Sequence, residues 1–180
     1  MPTTYPIVPG HEFVGEVSEV GSAVTTLKKS DKVGFWTKKA CCGTCSVCLS
    51  GDDELFSEVK VDLTYGKYFG GYATQVQQSY DFFFKLPDNF KMNLGAPLFC
   101  AGITNYILFI GQNKFGSLVG PRGAIKQMVE FCSDKDIFPS CEEYDFEDLP
   151  RAFNKLENGK PYFRCVLNAK DFAVKNGWKK

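Results

Sequence analysis

At 180 residues, with 44% hydrophobic and 23% charged side chains, the chain has room for one domain or two small ones and is too apolar to be disordered. Its 21 basic and 21 acidic side chains cancel, which argues against a nucleic-acid or anionic-membrane partner held by bulk charge. The longest mostly apolar stretch, residues 96–111, includes Thr104 and Asn105 and is shorter than a membrane span requires.

The start, MPTTYPIVPG, has no basic stretch leading into an apolar one, so no secretory signal is expected. FVGEVSEVG alternates and then turns at Gly21-Ser22, as a strand does. DKVGFW and GGYATQVQ are further strand candidates, and DFFFKLP is a short apolar run closed by Pro87. Residues 93–110 fit one mostly buried helix, with Leu94, Leu98, Ala101 and Ile107 apolar and Pro97 early enough to be tolerated. GSLVG, residues 116–120, reads as a short strand. GAIKQMVEFCSDK places Ile125, Met128, Val129 and Cys132 on a helical stripe. DFEDLPRAFNKLENGK reads as a helix with acids in its first turn, Pro150 near its start and Gly159 at its end. YFRCVLN is a closing strand, and the basic tail carrying Trp178 is expected to fray.

Eight cysteines are present, and three of them, Cys42, Cys45 and Cys48, stand three apart beside Cys41. Tight C-x2-C spacing without a signal peptide predicts metal binding in a reducing compartment, not a disulfide framework. The expectation is an intracellular protein, cytoplasmic by default, with an organelle such as the mitochondrion left open. Tetrahedral zinc wants four ligands. The stretch instead runs on through Gly51, Asp52, Asp53 and Glu54 to Phe56 with no further cysteine. Cys41 is expected to point away from Cys42, so Asp52, Asp53 and Glu54 are the candidate oxygen donors. Cys132, Cys141 and Cys165 read as small buried hydrophobes.

Several longer motifs recur in one order. YPIVPGHEFVGEV places P-G-H-E-x-x-G-E-V at Pro9, Gly10, His11, Glu12, Gly15, Glu16 and Val17. The cysteine loop, GGYATQVQ, KLPDNF, APLFCAGITNY around Cys100, and DFEDLPRAFNKLENGKPYFRCVLN follow. With these motifs the chain resembles the medium-chain zinc-containing alcohol dehydrogenases, and within them the cinnamyl-alcohol-dehydrogenase branch. The resemblance implies a mixed β/α fold: a GroES-like, partly open β-barrel catalytic domain, truncated at its N-terminus, plus a helical remnant of a Rossmann domain. On that reading residues 1–92 are the GroES-like part, with a degenerate cysteine loop at 41–56. Residues 93–136 are the cofactor-domain remnant, 137–168 the return to the catalytic domain, and 169–180 a tail.

Three departures from the resemblance remove chemistry. A dinucleotide site needs a strand, a glycine-rich turn and a helix N-terminus, and two such halves take on the order of 120 residues. No G-x-G-x-x-G occurs, and the step from NYILFIGQNKF to GSLVGPRG looks like a deletion of nearly the whole nucleotide-binding sheet. The resemblance puts catalytic zinc on an upstream cysteine, which this chain begins too late to contain, and on His11 and Cys100, with Glu12 adjacent. His11, Glu12 and Cys100 are therefore expected to be vestigial and metal-free. Cys42, Cys45 and Cys48 are an incomplete structural zinc site, since Phe56 stands where the resemblance implies the fourth cysteine. No NAD(P) and no catalytic residues in use are expected, and zinc at the cysteine loop is left open.

The function expected is a catalytically inactive accessory subunit of a larger protein assembly. Other subunits would pack on the apolar 93–110 helix, with no nucleic acid and no membrane span involved. The alternatives are a residual zinc-dependent NADP(H) alcohol dehydrogenase, alone or completed by another chain, and a small zinc-binding or redox-sensing module using Cys41, Cys42, Cys45 and Cys48.

Overall fold

The computed structural model describes residues 4–50, 60–62, 69–111 and 119–178. Their strands are β1 (Phe13–Glu16), β2 (Lys32–Phe35), β3 (Lys38–Cys41), β4 (Lys60–Asp62), β5 (Phe83–Lys85), β6 (Cys141–Asp145) and β7 (Arg164–Asn168). They form an antiparallel sheet in the order β1–β2–β5, an antiparallel β3–β4 pair and a parallel β6–β7 pair. The described strands do not close into a barrel, so the expected GroES-like barrel appears here only as its separate sheets.

The register of the first sheet explains its packing. Phe13 pairs with Phe35, and Phe35 with Phe83. Phe13 therefore stacks on Phe35 with centroids 4.9 Å apart, and Phe83 meets Phe35 edge-on at 4.9 Å. The next residue along, Gly34, faces the other way. There the Phe99 ring lies so close that a Cβ on Gly34 would come within 1.8 Å of it. Phe99, Phe35 and Trp36 are fully buried as a result and join Ile103, Ile125, Met128 and Val129 in one core.

The helix expected over 93–110 is broken. Met92–Gly95 is a helical turn, Ala96–Phe99 is a 3-10 turn, and Ala101–Ile110 is an α-helix, the two parts meeting at 66°. Pro97 supplies no N–H, so the chain tightens into the 3-10 form, and Cys100 leaves helical geometry at φ −135° and ψ −70°. The Ala101–Ile110 helix is also less bare than its composition suggests. Ile103 and Ile107 are buried against the Arg122–Asp134 helix, and a Cβ on Gly120 would sit 2.5 Å from Ile107. Its exposed apolar residues are confined to Leu108, Phe109 and Ile110 at its C-terminal end. Among the described residues no single helix is long and apolar enough to cross a membrane.

GGYATQVQ is not a strand. Gly70 and Gly71 donate to the carbonyls of Val8 and Gly10, and Tyr72 donates to Pro9, but the segment bends through residues 71–74. Gly71 bends because Phe13 lies against it, where a Cβ would approach the ring to 2.2 Å. The strand expected at 116–120 lies mostly outside the described residues, as do Asp52, Asp53, Glu54 and Phe56.

The late α-helices appear as expected, at Arg122–Asp134 and Leu149–Glu157. The second ends at Gly159, which takes a positive φ of 61° as a helix C-terminal glycine does. It forms the crossover between the parallel strands β6 and β7, a βαβ unit. The tail is folded and not frayed: Lys170–Lys175 is helical, Phe172 packs on Phe146 at 5.2 Å, and Lys175 reaches Glu147 at 3.3 Å. Of the three cysteines expected to be buried, Cys132 is, whereas Cys141 and Cys165 are half-buried on the β6–β7 pair.

Candidate functional site

His11 and Glu12 sit on the loop that leads into β1. Gly10 holds that loop with φ +97°, a conformation open to glycine, and Tyr72 covers it so closely that a Cβ would meet the ring at 2.5 Å. Cys100 stands at the break before the Ala101–Ile110 helix. That break lets the Ala101 N–H donate to Glu12 Oε1 at 3.2 Å. Glu12 Oε2 lies 3.8 Å from Arg164 Nε on β7. The loop, the helix start and the closing strand thus converge, and the ligand atoms of His11, Glu12 and Cys100 all lie within 4.8 Å of one another.

The electrostatics of this cluster are mixed. Burial pushes the Cys100 thiol up, the Glu12 charge adds to that, and Arg164 opposes it. Burial likewise raises the Tyr72 phenol, with Glu12 contributing in the same direction. The donor set of one imidazole, one carboxylate and one thiol is a chemistry zinc accepts, with three protein ligands being what a catalytic site uses. The residues therefore fit the metal. Arg164 and Tyr72 were not singled out from the sequence. Both reach the cluster through tertiary contacts across most of the chain, and no local pattern marks them.

The second cluster is Cys42, Cys45 and Cys48, whose sulfurs also lie within 4.8 Å of one another. Cys42 follows β3, and Cys48 is buried on the Ser46–Ser50 helix. Cys42 Sγ and Cys48 Sγ are 3.6 Å apart. A Zn–S bond of about 2.3 Å in a tetrahedron places neighbouring sulfurs about 3.8 Å apart. The cysteine pair is close to one edge of such a tetrahedron, so the trio fits three-quarters of a structural zinc site. Cys41 is not in this group; it packs against the hydrophobic core.

Beside the trio lies a cavity of about 400 Å³, lined by Lys39, Cys41, Cys42, Asp81, Phe82 and Arg122 among others. The Arg122 guanidinium sits over the Phe82 ring at 5.8 Å.

The alcohol dehydrogenase GroES-like domain family matches residues 1–88. The chain is 42% identical over 130 residues to cinnamyl alcohol dehydrogenase 2 of Rauvolfia serpentina, a match covering 67% of this chain and 36% of that protein. It is also 42% identical over 130 residues to the mannitol dehydrogenase of Apium graveolens, covering 67% of this chain and 35% of that protein. The chain belongs to the alcohol dehydrogenase family.

The chain spans about a third of the length of these curated relatives. The fold likeness extends further than the sequence match. The solved cinnamyl alcohol dehydrogenase of Helicobacter pylori, complexed with NADP(H), superposes with a TM-score of 0.82 at 19% identity, over 94% of this chain and 84% of that one. A cinnamyl alcohol dehydrogenase from Sorghum bicolor gives the same TM-score of 0.82 at 18% identity, over 93% of this chain and 83% of that one. The described residues have a mixed helix-and-strand fold.

Proposed function

We propose that this alcohol-dehydrogenase-family chain does not itself carry out nicotinamide-dependent hydride transfer and serves as an accessory subunit of a larger protein assembly. The observation that carries this reading is internal to the chain. Between the Ala101–Ile110 helix and β6 at Cys141 the described residues contain one helix, Arg122–Asp134, and no strand. A nucleotide-binding βαβ unit takes roughly 30 residues or more, and two halves take several times that. A nicotinamide with no such platform has no fixed place beside His11 and Cys100, so the hydride cannot be positioned. On this reading residues 93–136 are what is left of a cofactor domain, and 137–168 rejoin the catalytic part.

The exposed Leu108, Phe109 and Ile110 support the subunit half of the proposal, because they form an apolar step at the end of a helix anchored by buried Ile103 and Ile107. The test is the migration of the native chain in an extract of its source cells. Accessory function predicts elution well above the chain's own 20.1 kDa, together with other subunits. Elution at the mass of a monomer contradicts it.

A second reading is favoured by the convergence of His11, Glu12 and Cys100. It is a zinc-dependent alcohol dehydrogenase whose cofactor domain comes from another chain. Zinc held by these three would supply Lewis-acid polarisation of an alcohol or carbonyl oxygen. Arg164 and the Ala101 N–H would orient the Glu12 carboxylate, and Tyr72 would shield the Gly10 turn from water. Isolation of the chain with a separate nucleotide-binding polypeptide, active only together, would favour this reading over the first.

A further inference from the structure

The cysteine trio and the cavity beside it have a use that needs no nicotinamide. We infer that Cys42 is a peroxide-reactive thiol and Cys48 its resolving partner, closing a reversible Cys42–Cys48 disulfide when the trio carries no metal.

Three observations support this. The first is proximity: the two sulfurs are 3.6 Å apart, so bond formation needs an approach of roughly 1.6 Å to reach the ordinary S–S length of about 2.05 Å. The second is asymmetry of access. Cys42 is half-buried and lines the cavity of about 400 Å³, whereas Cys48 is buried and absent from the cavity wall. A small oxidant therefore meets Cys42 first. The third is charge. Lys39 and Arg122 line the same cavity, with Asp81 the opposing acid. Cations lining the cavity that Cys42 faces favour the negative charge that passes to the departing oxygen.

The chemistry balances with a hydroperoxide as oxidant. The Cys42 thiolate attacks the peroxide oxygen, the O–O bond breaks, and Cys42 becomes a sulfenic acid while the other oxygen leaves as hydroxide or alkoxide. The Cys48 thiolate then attacks the Cys42 sulfur, the S–O bond breaks, and the hydroxyl leaves as water on protonation. In sum two thiols lose two electrons and two protons, and the peroxide is reduced to water, or to water and an alcohol. A cellular thiol reverses the step by exchange.

The experiment uses the purified full chain, treated with chelator and then with hydrogen peroxide, followed by alkylation and peptide mapping. The expected result is a loss of two of the eight titratable thiols, with Cys42 and Cys48 joined and Cys41 and Cys45 alkylated. Dithiothreitol restores all eight. In Cys48→Ser, dimedone traps a sulfenic acid on Cys42. In Cys42→Ser, Cys48 stays reduced at the same dose. Cys45→Ser keeps the link, which shows that a substitution in this loop is tolerated. Circular dichroism of each variant is required to match the parent. Full alkylation of all eight cysteines after peroxide overturns the inference, and so does a link that uses Cys45, or equal trapping on Cys48 in Cys42→Ser.

Discussion

At the scale of single residues, Glu142 and Gly34 carry the sharpest expectations. Glu142 accepts from the Lys155 ammonium, from the Tyr162 N–H at 2.8 Å and from the Tyr144 hydroxyl at 3.0 Å. The Lys155 hydrogen bond first, and the other two after it, hold its carboxyl at about 2, below the usual 4.5. A carboxyl lowered on folding contributes stability that is complete above its unfolded value and is lost as pH falls through its folded value. Unfolding followed from pH 6 downward should therefore show stability draining between 4.5 and about 2, and Glu142→Gln should flatten that limb. An unchanged acid limb in the variant would refute this role for Glu142. Gly34 is fixed by space and not by φ, since the Phe99 ring occupies the position of its missing side chain. Overpacking of this kind costs about 1–3 kcal/mol, so Gly34→Ala should lose about that much stability, read as a lower urea midpoint at unchanged slope. At the cysteine trio the tetrahedral edge formed by Cys42 and Cys48 predicts uptake of Zn(II) from a weak chelator, and Cys48→Ser should lower the bound zinc by one per chain. Elemental analysis after gel filtration reads both.

At the scale of elements, what was legible in the sequence follows from how local the deciding force is. The FVGEV alternation and the Ile125, Met128, Val129, Cys132 stripe are local patterns, and both gave elements where the period placed them. The candidate site was legible for the same reason: His11, Glu12 and Cys100 sit in compact motifs, and so do the three loop cysteines. Failures came where a distant contact decided. Residues 93–110 are apolar enough for one helix, but Pro97 and the pull of Glu12 on the Ala101 N–H break it at Cys100. GGYATQVQ has strand-like residues, yet the Phe13 ring forces a bend at Gly71. β6, with the sequence CEEYD, has no apolar alternation to announce it; its one buried residue, Tyr144, is held by pairing with β7. Arg164 is read as a strand residue from its neighbours, and its approach to Glu12 appears only in three dimensions. The packing of the two central helices yields a further prediction. Ile125 is fully buried in the shared core, so Ile125→Ala should cost about 2–5 kcal/mol. Phe109 is 77% exposed, and Phe109→Ser should change stability by no more than about 0.5 kcal/mol while weakening association with any partner seated there. Denaturation midpoints of the two variants, beside sedimentation of the assembly, separate the core role from the surface role.

At the scale of the whole molecule, the described residues join a convergent ligand cluster to a core shared by the sheet and the two central helices. The ligand-cluster residues are drawn together by the P-G-H-E loop, the break at Cys100 and β7, while among the described residues between Gly111 and Ser140 the Arg122–Asp134 helix covers the core. That helix shares the core with Ile103 and Ile107, and Gly120 closes on the same two side chains. The metal-ligating geometry and the proposed lack of a cofactor platform are separable properties, and a measurement on one need not track the other. The platform is the property on which nicotinamide chemistry depends. Titration of the purified chain with NADPH, followed by the nicotinamide's fluorescence and by calorimetry, tests it most directly. No saturable binding up to millimolar cofactor is the predicted result, with or without Zn(II). A dissociation constant in the micromolar range for the chain alone would contradict it.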